Sequence, residues 1–142
     1  GNAFKLALFS SDSASLSKST TVYTAPSSAN AVPTNTLEVS QSQTDGGASN
    51  TGYTAGGTAL TSSADPVLST DTACVKFNDV SFTSATFTAR GCLIYNSTAV
   101  TGFTTNRSVC AINFGADKTV TSGTFTVQFP AQTAGNAIVQ IA

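Results

Sequence analysis

The stretch Ser81-Phe82-Thr83-Ser84-Ala85-Thr86-Phe87-Thr88-Ala89-Arg90-Gly91-Cys92-Leu93-Ile94-Tyr95 decides the fold class. Over Ser81 to Arg90, Thr and Phe recur in alternation, and both residue types favour a pleated, half-buried surface. That pattern predicts a long strand, straight or bulged. Gly91 to Tyr95 is then a nearly continuous apolar run. Such a run suits a central strand covered on both faces, or one with a face packed against a neighbouring subunit.

The same period of two recurs on either side. Phe4, Leu6 and Leu8 share one face of a strand over Ala3–Phe9, with Lys5, Ala7 and Phe9 opposite. Thr58 to Leu60, Pro66 to Leu68 and Ala73 to Phe77 read as short strands between turn residues. Asn78-Asp79 is a candidate turn, and Val80 and Phe82 share a face. Downstream, Asn96 to Asn106 reads as a polar loop. Cys110, Ile112 and Phe114 alternate up to a turn expected at Gly115-Ala116-Asp117-Lys118. Phe125, Val127 and Phe129 form a further strand ended by Pro130, and Ile138 to Ile141 closes the chain as the last one.

Residues 10–50 read differently. Ser10 to Asn35 is a Ser/Thr/Ala stretch broken by Pro26 and Pro33, with Val22-Tyr23 as its only adjacent pair of bulky apolar residues. It reads as a long loop or arm carrying at most one short strand. Leu37-Glu38-Val39 is a candidate brief strand, and Asp45 to Gly57 is glycine-rich turn sequence. No window shows apolar positions at helical spacing. The expectation is an all-β chain of roughly eight to ten strands, forming an antiparallel β-sandwich of jelly-roll-like arrangement. A closed barrel is the alternative. Residues 1–142 are read as a single β domain, with 10–50 as a loop- and arm-rich insertion.

Composition narrows the chemistry. Charged residues are 9% of the chain, against about 25% in an average soluble domain, so Ser, Thr, Asn, Gln and Gly must cover the surface. The six cations are scattered and form no stripe able to neutralise successive phosphates, which argues against a nucleic-acid partner. No apolar run is long enough to cross a bilayer, and the start resembles neither a signal peptide nor a lipidation site. A soluble protein with no membrane partner is therefore expected. Cys74, Cys92 and Cys110 are odd in number and never form a CxxC pair, so buried free thiols from a reducing compartment are expected.

The sequence contains no His, which removes the commonest general base and a principal metal ligand. Paired carboxylates are the remaining catalytic option. The acids Asp12, Glu38, Asp45, Asp65, Asp71, Asp79 and Asp117 are scattered, and most sit beside turn residues whose backbone amides they can accept from. Neither a calcium-loop spacing around Asp65 and Asp71 nor a phosphate-loop pattern around Thr51–Gly57 is present. The sequence thus offers no catalytic residue, no metal site and no cofactor, and it reads as an interaction protein and not an enzyme. The candidate contact residues are Arg90, isolated between the Phe-rich strand and the apolar run, Tyr95 at the end of that run, and Val22 with Tyr23 in the arm. Arg90 is read equally as an intrachain ion pair or a subunit contact, since its planar fork suits both.

Four segments carry a resemblance. They are Ala3 to Phe9, Gly52-Tyr53-Thr54-Ala55-Gly56-Gly57, Thr88 to Asn96, and Asn113-Phe114-Gly115-Ala116-Asp117-Lys118 leading into Gly123-Thr124-Phe125-Thr126. With these, the chain resembles small virion-structural proteins encoded in the head-gene regions of tailed bacteriophages, including cyanophages. The likeness spans most of the chain except Ser10 to Gly47. It implies a capsid decoration or cement protein that sits as a dimer or trimer on the major capsid protein, on the exterior of the virion, and is made in the host bacterial cytoplasm. It implies no catalysis and no cofactor. A neck, collar, tail or fibre protein is the alternative within the same resemblance. Outside it stand a carbohydrate-binding tail module and a carboxylate-dependent hydrolase. The first would be expected to expose Trp or Tyr, and the second needs two converging acids. The resemblance also suggests that Ser10 to Asn35 is held by another subunit.

Overall fold

A computed structural model of the protein describes residues 1–10, 20–23, 38–39, 52–62, 65–137 and 139–141. Among them the regular structure is all β, without a helix. The strands are β1 (Phe4–Phe9), β2 (Thr58–Leu60), β3 (Val67–Ser69), β4 (Thr72–Val75), β5 (Val80–Asn96), β6 (Arg107–Val127) and β7 (Val139–Ile141). They form a four-stranded sheet in the order β2-β1-β5-β6 and a three-stranded sheet in the order β3-β4-β7. The chain divides into two compact units, Gly1–Ala59 with Phe82–Phe125, and Leu60–Ser81 with Thr126–Ala142.

In the first unit, β1 runs antiparallel to the second half of β5. Leu6 faces Ile94 and Leu8 faces Cys92, while Ala7 faces Leu93 and Phe9 faces Gly91. Paired residues share a face, so both faces of this strand pair carry apolar side chains. Leu6, Ala7, Leu8, Phe9 and all residues from Gly91 to Asn96 are buried. The continuous apolar run thus belongs to a strand covered on both sides, the first of the two situations that its composition suits. One face packs Ala7, Phe9, Leu93 and Tyr95 with Tyr23, against which Ala111 lies. Gly91 is needed there because a β-carbon would sit 2.6 Å from the Ile112 carbonyl oxygen of β6.

The Thr/Phe stretch and the apolar run are one strand of 17 residues. Burial follows Phe82 and then Ala85, Phe87 and Ala89, so the inward phase slips by one residue. Ser84, at φ 50°, absorbs the slip, as a bulge does. β6 behaves likewise. The turn expected at Gly115 to Lys118 does not form, and the chain runs straight through in a strand of 21 residues. Gly115 at φ 78° and Ser122 at φ 48° are local irregularities within it. Asn113 Oδ1 accepts the Gly115 N–H at 2.8 Å, and the Ser122 N–H is taken by Thr86 Oγ1 at 3.0 Å. Gly and Asn signal turns and bulges alike, and here the bulge wins because β5 offers a long partner. One face of this ribbon carries aromatic contacts, with Phe87 and Phe125 at 5.1 Å and Phe82 and Phe87 at 6.0 Å between centroids. Exposed Thr88 and Thr119 join their hydroxyls at 2.9 Å.

In the second unit, the β3–β4 hairpin pairs Val67 with Cys74, Leu68 with Ala73 and Ser69 with Thr72. Thr70 turns it at φ 58°, and β7 pairs antiparallel with β4 through Ala73, Cys74 and Val75. Phe77 and Phe129 meet edge to face with centroids 6.0 Å apart. Asp79 caps the approach, accepting the Phe129 N–H at 2.9 Å. Gln132 Nε2 donates to the carbonyl oxygens of Asp65 and Cys74.

A short piece of the arm can be placed. Thr20 to Tyr23 lie on this chain's own β6: Ser108 N–H donates to the Thr21 oxygen at 2.9 Å and Tyr23 N–H to the Asn106 oxygen at 2.8 Å. For these residues the Thr21 oxygen and the Tyr23 N–H have partners within the chain. The rest of Ser11 to Asn35 lies outside the described residues.

Candidate functional site

The only glutamate and all three tyrosines of the sequence converge in the first unit. Glu38 is 0% exposed. It reaches this position because it forms an isolated antiparallel bridge with Phe9, with the Val39 N–H donating to the Leu8 oxygen at 2.9 Å. Three donors then meet its carboxylate. Tyr23 donates its hydroxyl to Oε2 at 2.9 Å, Tyr53 donates to Oε1 at 2.5 Å, and the Gly56 N–H donates to Oε1 at 2.7 Å.

The shell around these contacts is closed by further bonds. Tyr53 Oη also accepts the Leu8 N–H at 3.0 Å, and Tyr95 donates to the Gly56 oxygen at 2.6 Å. The Tyr23 and Tyr95 rings stack, 4.4 Å apart and 8° from parallel. The Gly56-Gly57 turn comes this close to β1 only because it lacks side chains. A β-carbon on Gly57, which sits at φ +68°, would fall 1.9 Å from the Leu6 oxygen.

The electrostatics follow from the burial. Desolvation pushes the Tyr53 hydroxyl far above its ordinary range, and the Glu38 charge and the hydrogen bond to it push further in the same direction. Tyr23 rises for the same reasons in the same order. Tyr95 is pushed up to about 12, by burial first and the Glu38 charge second. Burial likewise drives Cys92 to about 12, with Cys110 adding to it, and raises Cys110.

A carboxylate closed off in this way cannot meet an external substrate, and its chemistry is to tie segments together. Residues 20–23, 38–39 and 52–57 are each anchored to β1 or β5 through it. Sequence reasoning listed Glu38 among scattered acids and missed this role. The available signal was a lone Glu between Leu37 and Val39, a charge in an otherwise apolar triplet, which needs internal donors if it is buried.

The four residues named as contacts are placed as follows. Tyr23 and Tyr95 are buried in the cluster and touch each other. Val22, next to Tyr23 and on the opposite face, bridges to Arg107. Arg90 forms an intrachain ion pair with Asp117 at 3.3 Å, with both side chains close to half exposed. Of the remaining acids, Asp65 and Asp71 are exposed and Asp79 is the cap at Phe129, while Asp12 and Asp45 lie outside the described residues. Among the described residues no three His, Cys, Asp or Glu side chains gather in a metal-binding group.

Compared with protein-family models, curated proteins and solved structures, the chain matches none.

Proposed function

We propose that this protein is a non-enzymatic virion component that binds and stabilises a tailed-phage capsid as a decoration or cement protein. The observation that carries the reading is the way the chain invests its polar chemistry. Its one glutamate and three tyrosines are spent inside, holding loop segments to a sheet. The exterior of the long β5–β6 ribbon is carried largely by Ser and Thr hydroxyls, with the Arg90–Asp117 pair, Arg107 and Lys118 as its few charges. Such a surface has little long-range field and suits close contact with protein. The resemblance of the Ala3–Phe9, Gly52–Gly57, Thr88–Asn96 and Asn113–Thr126 segments to head-region proteins supplies the setting. With it comes a sandwich, of jelly-roll kind, for the arrangement of the strands.

The test uses empty capsids of the phage that encodes the chain. Added protein is expected to co-sediment with them at saturating, stoichiometric occupancy and to raise the temperature or pressure at which they rupture. Capsids that neither bind it nor gain resistance refute the reading. Binding to tails and not to heads would move the protein to the neck, collar or tail.

A further inference from the structure

Four large apolar side chains stand exposed among the described residues, and they fall in two places. The first is at the start of β6. Phe103 is 61% exposed, and the Arg107 guanidinium carbon lies over its ring, 4.8 Å from the centroid. Val109, 42% exposed, follows on the same face of β6, and Val22 shares that face because it pairs directly across from Arg107. The backbone bonds from Tyr23 and Ser108 hold this base rigid. Arg107 has no carboxylate partner among the described residues.

The second place is the β3–β4 hairpin, where Leu68 is 72% and Val67 39% exposed. Exposed Asp65 and Asp71 flank the pair in sequence, and neither carboxylate has a partner among the described residues. One patch is apolar with an uncompensated cation. The other is apolar with two uncompensated anions.

We propose that the two patches are the halves of one contact between copies of this chain, in which the β3–β4 hairpin of one copy seats Leu68 against Phe103 of the next and brings Asp65 or Asp71 to Arg107. Phe and Arg are the residue types that anchor interfaces, and a guanidinium already stacked on a ring loses little freedom on pairing. Because the halves are different surfaces, two copies either exchange both contacts in a closed dimer or leave a free half on each and continue to a ring or an open chain. So small a contact belongs at the low end of interface sizes, below about 1,200 Å² in total, and gains strength where many copies are arrayed together. The inference rests on the proposed function only in taking a second copy as the partner.

Two double variants test it, Phe103→Ala with Arg107→Ala, and Leu68→Ser with Asp71→Asn. All four positions are exposed, so both variants should keep the wild-type circular dichroism. By light scattering, the mass of the wild-type protein should rise to a dimer or beyond with increasing concentration, and each variant alone should stay monomeric. An equimolar mixture of the two should stop at a dimer, since only one productive pairing of halves remains. A wild-type protein that is monomeric throughout, variants that associate like wild type, or a mixture that stays monomeric would each overturn the contact. Capsid binding measured in parallel separates the two ideas. Self-association without capsid binding sinks the proposed function alone, and capsid binding without self-association sinks the contact alone.

Discussion

At Glu38 three donors converge on two oxygens, and a change that keeps the side chain's shape but turns one oxygen into an amide group sets donor against donor. Glu38→Gln should therefore destabilise the protein by about 3 kcal/mol, since hydrogen bonds to a charged group are worth more than neutral ones and an orphaned buried donor costs more again. Urea titration should show this as a lower midpoint with an unchanged slope. Tyr53→Phe strands the Leu8 N–H and leaves Glu38 Oε1 with the Gly56 N–H alone, and about 2 kcal/mol is expected by the same measure. The tyrosines also set the alkaline limit. Their folded pKa values all lie above the unfolded value of about 10. The stability they contribute is thus complete below that pH and is lost as pH climbs from there toward the folded values. Tyrosinate absorbance should stay low in the native protein until pH rises well past 10, then appear together with the loss of β signal. Tyrosinate forming at an ordinary pH in folded protein would show that the cluster is open.

At the scale of elements, the long strands are built with their irregularities in place. Ser84 and Ser122 let the inward phase of β5 and β6 slip, so that the aromatic residues on both sides of each slip reach the same face. The Gly56-Gly57 turn is less forgiving. Gly57→Ala places a methyl inside the van der Waals reach of the Leu6 backbone, where no rotamer can relieve it. Loss of the folded state on expression or a drop of more than about 3 kcal/mol is expected. Gly102 is also at positive φ, but a β-carbon there meets nothing. Gly102→Ala should cost only about 1 kcal/mol, so comparing the two variants by thermal melting separates the clash from the backbone preference.

At the scale of the whole chain, the scarcity of charge has a measurable consequence. With six cations and seven acids in all and an exposed Arg90–Asp117 pair, which such geometry makes worth no more than about 1 kcal/mol, little of the stability is open to screening. The urea midpoint should shift little between low and high sodium chloride, whereas the mass distribution should move toward smaller species as salt masks the Arg107 contact. A strong salt dependence of unfolding would mean that exposed charge pairs beyond Arg90–Asp117 support the fold.

The period-two pattern from Ser81 to Arg90 was enough to read β structure, because alternation is a local property that one strand displays by itself, and the apolar run from Gly91 to Tyr95 left a doubly covered strand and a subunit-facing one both open. The first strand, the short strands and the closing strand were legible for the same reason. Where turn and bulge share residues, as at Gly115, the local signal was ambiguous, and only the presence of β5 as a long partner decided for a continuous strand. The Glu38 cluster could not be read at all. Its members are spread from Tyr23 to Tyr95, and nothing local to any of them says that burial will bring them together. The sequence alone determined an all-β chain without His and with few charges. The tertiary structure decided that its lone glutamate is buried, since only pairing with β1 could bring two hydroxyls and an amide to that carboxylate and so make its burial affordable.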